Sequence, residues 1–570
     1  MPLDGISLRA LINEMNGTVI SCKVERVYQP EKYEITLNLR KPQLNIKLLI
    51  NCHPILARIC ISQSNKKNPI NPPPFCMLLR KYLEGGEITG IKQKGLDRIA
   101  ELTFKSWKEE TLKLYIEIMG KNSNIILADE DNRIIDALRH VYPEMSRVRT
   151  ILPGETYLYP PAQDKLDLIT ADRDEISRML DIDSNKSIQK VLVERFEGFS
   201  TFLSSTFLMS CGLEPLQTHF DKDKVMDGLL AMKGDLINSR YSPTIYVEDG
   251  SYKDFLPFFF NVYKPMGYDS MSEMAEEFFR RKELKGAANE RLAVLTKVIN
   301  CNLDRYYRKL ENLNSELDSG MERDRYKEYA DLIMANLFSI KKGMRTIKLI
   351  NIFAAEDVAA EIDLDPSQTP VENAQRYYKK YNKLKNSIKH IEGQIRETRD
   401  EIEYLESELY NLQNIEDTSE IDDIKSELES AGYIKHKGNK KGAVQKSNPR
   451  HFTSTDGYEI FIGKNNIQND ELTMRYASAN DVWLHTKDIP GSHVIIKANN
   501  SSVPYGTLRE AALLAAFFSK AKTSSNVPVD YTFKKYVKKP AGAKPGKVIY
   551  TNQKTLYVTP NGEDIDKLKK

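Results

Sequence analysis

The sequence predicts an α+β multidomain protein with a strand-rich N-terminal domain, a helical insert, a long antiparallel coiled-coil hairpin and an α+β C-terminal domain. Three observations support this prediction. Short runs of alternating apolar residues extend to about residue 169 and resume after residue 450. Between them, apolar residues recur with heptad spacing. The chain has 570 residues, 41% of them hydrophobic, which is enough for several folded domains.

The N-terminal domain is predicted over residues 1–172 and is completed by residues 241–275. Runs such as KYEITLNLR and LKLYIEIM predict strands, and PPPFCMLLRKYLEGG predicts a helix because Pro precedes it and paired Gly follows it. Over residues 173–240 the spacing of apolar residues becomes helical, which predicts a helical insert. Within it, FEGFSTFLSSTF predicts two helices separated by a tight turn at Gly198, with Ser200 as the cap of the second.

The middle region, residues 276–432, carries the strongest periodicity of the chain. One series follows a strict 4-3-4-3 spacing over five heptads: Tyr377, Tyr381, Leu384, Ile388, Ile391, Ile395, Thr398, Ile402, Leu405, Leu409 and Leu412. An earlier series has similar spacing with one four-residue stutter: Leu292, Leu295, Ile299, Leu303, Tyr306, Leu310, Leu313 and Leu317. The two helices should pair antiparallel, with residues 325–370 at the tip of the hairpin.

A basic linker at residues 433–449 leads to a C-terminal module at residues 450–570. The module combines strand patterns with one helix, GTLREAALLAAFFSKA. The formal net charge of +3 hides strong segregation, because residues 434–450 and 534–547 each carry six Lys or Arg and no acidic residue. Two such segments in one region predict a polyphosphate partner such as RNA.

Several classes of protein are disfavoured. The longest apolar run, AALLAAFF, is too short to span a membrane, and the first residues do not resemble a secretory signal, so we expect a cytoplasmic protein without a membrane partner. The six cysteines are scattered and should be free thiols. KPAGAKPGKV lacks the spacing and the Ser/Thr of a phosphate loop. We expect no cofactor and no metal site.

Candidate functional residues lie in both terminal regions. Asp97 and Arg98, in KGLDRIAEL, form either a surface ion pair or an oriented guanidinium for phosphate or base contact. Trp483, His485 and His493, in DVWLHTKDIPGSHVII, are either packing residues or RNA contacts. Further candidates for RNA binding are basic: Lys121, Lys464, Lys487, Lys534, Lys535, Lys538, Lys539 and Lys544.

Seven motifs in order resemble the NFACT family over nearly the whole chain: FCMLLRKYLEGGEI, KGLDRIAEL, MGKNSNIIL, YADLIMANL, IDLDPSQTPVENAQRYYKKYNKLK, GKNNIQNDELT and DVWLHTKDIPGSHVII. The resemblance implies a fold order. It runs from a glycosylase-like N-terminal domain with a helix-hairpin-helix insert, through a coiled-coil arm, to an RNA-binding domain.

The resemblance also implies a role in rescuing stalled translation. Bacterial members bind the large (50S) ribosomal subunit carrying peptidyl-tRNA and recruit alanyl-tRNA. They direct mRNA-independent alanine tailing that marks the nascent chain for degradation, and accessory RNA-binding quality-control factors are among the implied partners. Asp97 and Arg98 match the family's tRNA-engaging pair. The ribosome would form the peptide bond, so we expect a ribosome-associated factor rather than an enzyme.

Two alternatives stay open at this point. Pro2 could serve as the Schiff-base nucleophile of a formamidopyrimidine-type DNA glycosylase and AP lyase. In those enzymes an acidic residue follows the proline, whereas Leu3 and then Asp4 follow it here. A surface fibronectin-binding adhesin is the second alternative, suggested by another name used for the family. The absence of an export signal weighs against it.

Overall fold

The protein divides into two compact units, residues 1–286 and 287–570. The computed structural model describes residues 3–161, 163–181, 186–321, 323–351, 359–415, 417–435, 447–498, 501–562, 565 and 568. Pro2 and residues 436–446 of the basic linker lie outside the described residues. Each unit has its own hydrophobic cores, and the predicted α+β multidomain fold is confirmed.

An antiparallel sheet of nine strands forms the centre of the first unit. The strands are β1 (Lys23–Glu31), β2 (Glu34–Lys41), β3 (Leu44–Asn51), β4 (Arg58–Ile61), β5 (Glu87–Gln93), β6 (Ile99–Lys105), β7 (Thr111–Glu117), β8 (Asn124–Asp129) and β9 (Ile134–Ala137). They lie in the order β4-β3-β2-β1-β5-β6-β7-β8-β9. The strand-rich character predicted for this region is therefore confirmed.

Two helices pack against this sheet. Helix α1 (Gly5–Val19) begins at the cap residue Asp4, whose Oδ1 accepts a hydrogen bond of 2.7 Å from the Ser7 amide. Helix α2 (Pro74–Leu83) is the one predicted from its flanking Pro and Gly residues. Both bury their apolar faces in the main core of the unit.

The helical insert is also present. It contains α3 (Arg173–Leu180), α4 (Ile188–Arg195), α5 (Thr201–Ser210) and α6 (Lys222–Ile237). As predicted, Gly198 makes the turn between α4 and α5 with a φ of +83°. Ser200 caps α5, because its Oγ accepts a hydrogen bond of 3.1 Å from the Leu203 amide.

A three-stranded sheet follows the insert and joins the two cores of the first unit. Its strands are β10 (Thr244–Glu248), β11 (Ser251–Leu256) and β12 (Lys264–Gly267), in the order β11-β10-β12. Ile245 and Phe255 belong to the core of the large sheet, whereas Tyr246 and Leu256 belong to the core of the insert. Alternate residues of β10 and β11 thus pack into the core of the large sheet and into the core of the insert.

Two long helices form the predicted antiparallel hairpin. They are α7 (Met271–Met321) and α9 (Pro370–Gln413), and Thr369 and Glu372 form a capping box at the start of α9. Leu295, Ile299 and Leu303 of α7 pack with Ile402, Leu405 and Leu412 of α9, and Leu313 packs with Ile391 and Ile395. Residues further along α7 therefore contact residues that come earlier in α9, so the two helices are antiparallel.

The segment between the long helices has a small core of its own. It contains α8 (Arg323–Ala335) and the antiparallel strands β13 (Thr346–Ile350) and β14 (Ala359–Asp363). Leu332 and Ile333 pack against Ala374 and Tyr377 of α9. Helix α10 (Thr418–Ser430) follows α9 and packs against it.

The C-terminal module is built on a six-stranded sheet with one face covered by a helix. Its elements are β15 (Arg450–Thr453), β16 (Glu459–Ile462), α11 (Asn466–Asp470), β17 (Val482–Thr486), β18 (Val494–Ile496), α12 (Tyr505–Phe517), β19 (Val527–Phe533), β20 (Val537–Lys538), β21 (Ile549–Tyr550) and β22 (Lys554–Val558). The sheet order is β15-β16-β18-β17-β19-β22, and β20 pairs with β21. Helix α12 packs in the apolar core of this sheet, as predicted.

Two other expectations can be compared with the structure. Within the described residues, no helix is long and apolar enough to cross a membrane. Cys22, Cys52, Cys60 and Cys76 are buried free thiols, Cys211 is half-buried and Cys301 is exposed, so the prediction of free cysteines is confirmed.

Candidate functional site

Asp97 and Arg98 lie in a tight loop between β5 and β6. The Asp97 amide donates a hydrogen bond of 2.9 Å to the Lys94 carbonyl oxygen, and Gly95 adopts a φ of +55° within the turn. The Arg98 amide donates to the Asp97 carboxylate at 2.7 Å. The carboxylate therefore bonds to the backbone of its own loop, which fixes where the arginine leaves the chain.

Gln93, at the end of β5, ties this loop to the start of α1. Its side-chain Nε2 donates two hydrogen bonds of 2.8 Å, one to the Gly5 carbonyl oxygen and one to the Asp97 carbonyl oxygen. Gln93 is nearly fully buried. Losing these bonds would leave buried backbone acceptors unpaired, so Gln93 is part of what holds the loop.

The helical insert holds the loop from the other side. The Leu96 amide donates a hydrogen bond of 3.0 Å to the Glu197 carboxylate, next to the Gly198 turn. Burial raises the pKa of Glu197, and the carboxylates of Asp167 and Asp97 add to this effect. A Cβ atom on Gly5 would lie 1.7 Å from the Leu96 carbonyl oxygen, so only glycine fits there.

An open cavity of about 610 Å³ lies beside the loop. Its charged lining residues are Arg98, Lys94, Lys165, Asp4, Asp97 and Glu197, and the start of α5 borders it. Asp4 also accepts a hydrogen bond of 2.8 Å from the Ser200 hydroxyl, and burial raises the pKa of Asp4. The Lys94 ammonium lies 5.1 Å from the ring centroid of Tyr159. Guanidinium, ammonium and aromatic groups, which suit contact with a nucleic acid, therefore line the cavity together with the carboxylates of Asp4, Asp97 and Glu197.

Of the three aromatic candidates of the C-terminal module, Trp483 and His493 are buried inside it and His485 is half-buried. Trp483 is fully buried, and its ring centroid lies 5.2 Å from that of His493 and 4.8 Å from that of Tyr550. His493 is buried, and its Nδ1 lies 2.8 Å from the Thr473 hydroxyl. Burial lowers the pKa values of His485 and His493, so both are neutral near pH 7. These placements favour packing over RNA contact, and Trp483 presents no open ring face.

The candidate lysines fall into two groups. Three form ion pairs with carboxylates of their own unit: Lys464 with Glu420 at 3.0 Å, Lys539 with Asp470, and Lys544 with Glu401. Five have no carboxylate within ion-pair distance among the described residues: Lys121, Lys487, Lys534, Lys535 and Lys538. Lys121 is exposed in a short turn, Gly120–Asn122, away from the lining of the cavity beside Arg98. The structure therefore separates lysines that stabilise the fold from those that can meet a partner.

Sequence reasoning missed the residues that support the Asp97–Arg98 loop. Gln93, Glu197 and Gly5 reach the loop across the fold, and no local pattern identifies them. The aromatic residues Phe533 and Tyr536 could have been found, because they interleave with the lysines in FKKYVKK.

Comparison with known proteins places these features in a family. A family model described as NFACT N-terminal and middle domains matches residues 4–447, and one described as NFACT protein RNA binding domain matches residues 448–552. The chain belongs to the NFACT family. The Asp97–Arg98 loop lies in the NFACT N-terminal part, and the lysines of residues 534–547 lie in the NFACT RNA-binding domain.

Individual NFACT proteins are similar over their full length. "Rqc2 homolog RqcH" of Bacillus subtilis is 38% identical over 579 residues, covering 100% of both chains. The protein of the same name from Streptococcus suis is 34% identical over 581 residues, again covering 100% of both. A solved C-terminal part of the fibronectin/fibrinogen-binding protein from Streptococcus suis is 34% identical, covers 50% of this chain and 99% of that chain, and has a TM-score of 0.41. "Ribosome quality control complex subunit NEMF" of Homo sapiens is 25% identical over 376 residues, covering 60% of this chain and 33% of that protein. Together, these relatives support a ribosome quality-control role.

Proposed function

We propose that this protein is a ribosome-associated quality-control factor that directs alanine tailing. It binds the large (50S) ribosomal subunit carrying a peptidyl-tRNA, recruits alanyl-tRNA and supports extension of the nascent chain by alanine without mRNA. The tail marks the chain for degradation. The observation that carries this proposal is the 38% identity to RqcH across the whole of both chains.

In this proposal, the Asp97–Arg98 loop engages tRNA. Arg98 contacts the RNA through its guanidinium, which suits phosphate oxygens and base edges. Asp97 orients the loop, because its carboxylate accepts the Arg98 amide at 2.7 Å. Gln93 ties the loop to the start of α1, and Glu197 holds it from the helical insert.

The protein supplies binding and positioning rather than bond formation. The ribosomal peptidyl-transferase centre makes the peptide bond, and the protein holds the charged tRNA where it can react. Contacts from separate domains add up, because each one raises the effective concentration of the next. No cofactor takes part, and the protein acts in the cytoplasm on ribosomal particles.

A reconstituted tailing reaction tests the proposal. Purified 50S particles carrying peptidyl-tRNA are mixed with the protein and alanyl-tRNA, and growth of the nascent chain is followed on gels. We expect Asp97→Ala combined with Arg98→Ala to abolish tailing and tRNA capture while the protein still sediments with 50S particles. Unchanged tailing by this variant would show the loop assignment to be wrong.

The matched control is another acid–arginine pair of the same sheet. Arg40 and Glu25 are both largely exposed and lie 3.6 Å apart. Changing both to alanine removes the same side-chain types without touching the loop, so tailing should stay at the wild-type rate. Fractionation of cells addresses the adhesin alternative, since protein found mainly outside the cell contradicts a role on ribosomes.

A further inference from the structure

The six lysines between residues 534 and 547 differ in their partners. Three are held by carboxylates: Lys539 by Asp470, Lys544 by Glu401 and Lys547 by Asp400. In the described part of the chain, the other three have no carboxylate at ion-pair distance: Lys534, Lys535 and Lys538. Only the second group carries charge that the fold itself does not neutralise.

Two lysines of the second group lie on a firmly held turn, and the third lies in the short strand that follows it. Residues 534–536 form one turn of 3-10 helix directly after β19, and Lys538 ends β20. The Lys534 amide donates to the Asp481 carbonyl oxygen at 2.9 Å, and the Lys535 amide donates to the Ala479 carbonyl oxygen at 3.1 Å. The turn therefore presents its side chains without having to order a loop on binding.

Two aromatic rings alternate with these lysines. Phe533 is 47% exposed although it is one of the most apolar side chains in the module. The Lys535 ammonium lies 5.3 Å from the Phe533 ring centroid and 5.2 Å from the Tyr536 ring centroid. Of the two rings, Phe533 is exposed and Tyr536 is half-buried. An exposed ring beside unpaired cations is the combination that binds single-stranded nucleic acid, because bases stack on rings while lysines neutralise phosphates.

We propose that Phe533, Lys535 and Lys538 form a binding site for unpaired RNA nucleotides. Phe533 stacks on one base, and Lys535 and Lys538 contact the flanking phosphates. The bases must be unpaired, since a duplex hides its base faces within the stack. This site deepens the RNA-binding part of the proposed function and rests on it.

The site differs from the cleft that contains Trp483. That cleft has a volume of about 550 Å³ and is lined by Glu397, Asp400, Glu401 and Glu403 of α9, whose carboxylates would repel phosphate. Its Lys544 and Lys547 are already paired with this acidic face. By contrast, the lysines of the turn at Phe533 have no carboxylate at ion-pair distance among the described residues.

Binding of a fluorescein-labelled oligouridylate of about 12 nucleotides to the full-length protein tests the proposal. Anisotropy is measured over a series of salt concentrations. We expect Phe533→Ala to weaken binding by about fivefold to a hundredfold while leaving the slope of log affinity against log salt unchanged. Lys535→Gln and Lys538→Gln should each reduce the steepness of that slope by roughly 0.7, because each releases fewer counterions.

Two variants serve as controls. Phe533→Trp keeps a stacking ring and should retain affinity, whereas Phe533→Leu keeps only the apolar bulk and should lose it. Lys544→Gln removes a lysine of the same segment that is paired with Glu401, so both affinity and slope should stay at wild-type values.

Several outcomes overturn the proposal. They are unchanged affinity in Phe533→Ala, full affinity in Phe533→Leu, a slope change in Lys544→Gln equal to that in Lys535→Gln, or equally tight binding of a duplex of the same length. Full affinity in Phe533→Leu would show that no base stacks on the ring of Phe533. Sedimentation of the wild-type protein with 50S particles is measured separately, since its failure contradicts the proposed function and leaves the oligonucleotide result standing.

Discussion

Gly5 gives the sharpest single-residue test of how the Asp97–Arg98 loop is held. Its absent Cβ would lie 1.7 Å from the Leu96 carbonyl oxygen, so backbone must move to admit any side chain. We expect Gly5→Ala to destabilise the first unit by about 1–3 kcal/mol and to weaken tRNA binding. Urea unfolding and tRNA affinity of the full-length protein measure the two effects.

Gly17 is the matched control, because it lies in the same helix and a Cβ there would meet nothing within 4 Å. Gly17→Ala should leave tRNA binding unchanged and stabilise the helix by about 0.5–1 kcal/mol. If Gly5→Ala behaved like Gly17→Ala, the close approach of α1 to the loop would not matter.

The residues that hold this loop in place could not be predicted from the sequence, although the Asp97–Arg98 pair itself could. The Asp97–Arg98 pair could be singled out because adjacent acid and guanidinium groups have a recognisable chemistry. Glu197 reaches Leu96 from the helical insert, about a hundred positions along the chain. Only folding brings these residues together, so no local spacing records the contact.

At the level of elements, periodic segments were predictable and short irregular ones were not. The heptad series of α9 is buried or half-buried at every predicted position, because burial of one helix face requires that period. Strand β15 has four residues, and its sequence RHFT shows no alternation from which to infer it. The turn at residues 471–476 is π-helical, a rare geometry that propensities do not predict.

One junction of elements should make stability depend on pH. Glu408 of α9 and Glu427 of α10 are both buried; Glu408 accepts a hydrogen bond of 2.5 Å from Asn466 Nδ2, and Glu427 accepts one of 3.1 Å from the Tyr404 hydroxyl. Burial raises the pKa of Glu408 well above 4.5, and the negative charge of Glu427 raises it further. Burial also raises the pKa of Glu427 from 4.5 to about 7. The folded state therefore binds protons more tightly than the unfolded state.

The sign of the pH effect follows from these raised pKa values. The contribution of Glu427 to stability is complete below about pH 4.5 and is lost as the pH rises through about 7, and the raised pKa of Glu408 acts in the same direction. We expect the free energy of unfolding of the second unit to fall between these values by on the order of 1–3 kcal/mol. Glu408→Gln keeps an acceptor for Asn466 without a charge, so it should flatten this dependence. Glu392→Gln, exposed on the same helix, should not.

Denaturant unfolding of the two variants and the wild type at a series of pH values checks this expectation. The wild type and Glu392→Gln should run parallel, and Glu408→Gln should cross above them as the pH rises. A profile of Glu408→Gln parallel to that of the wild type would mean that Glu408 does not titrate in this range.

For the whole molecule, the division into two compact units predicts stepwise unfolding. Residues 1–286 and 287–570 each have separate cores, and chains of this kind depart from two-state behaviour. Differential scanning calorimetry should therefore resolve two transitions. Gly5→Ala should lower the midpoint of one, and Glu408→Gln at about pH 8 should raise the midpoint of the other, because each substitution lies in a different unit. A single transition shifted by both substitutions would show that the units unfold as one cooperative body.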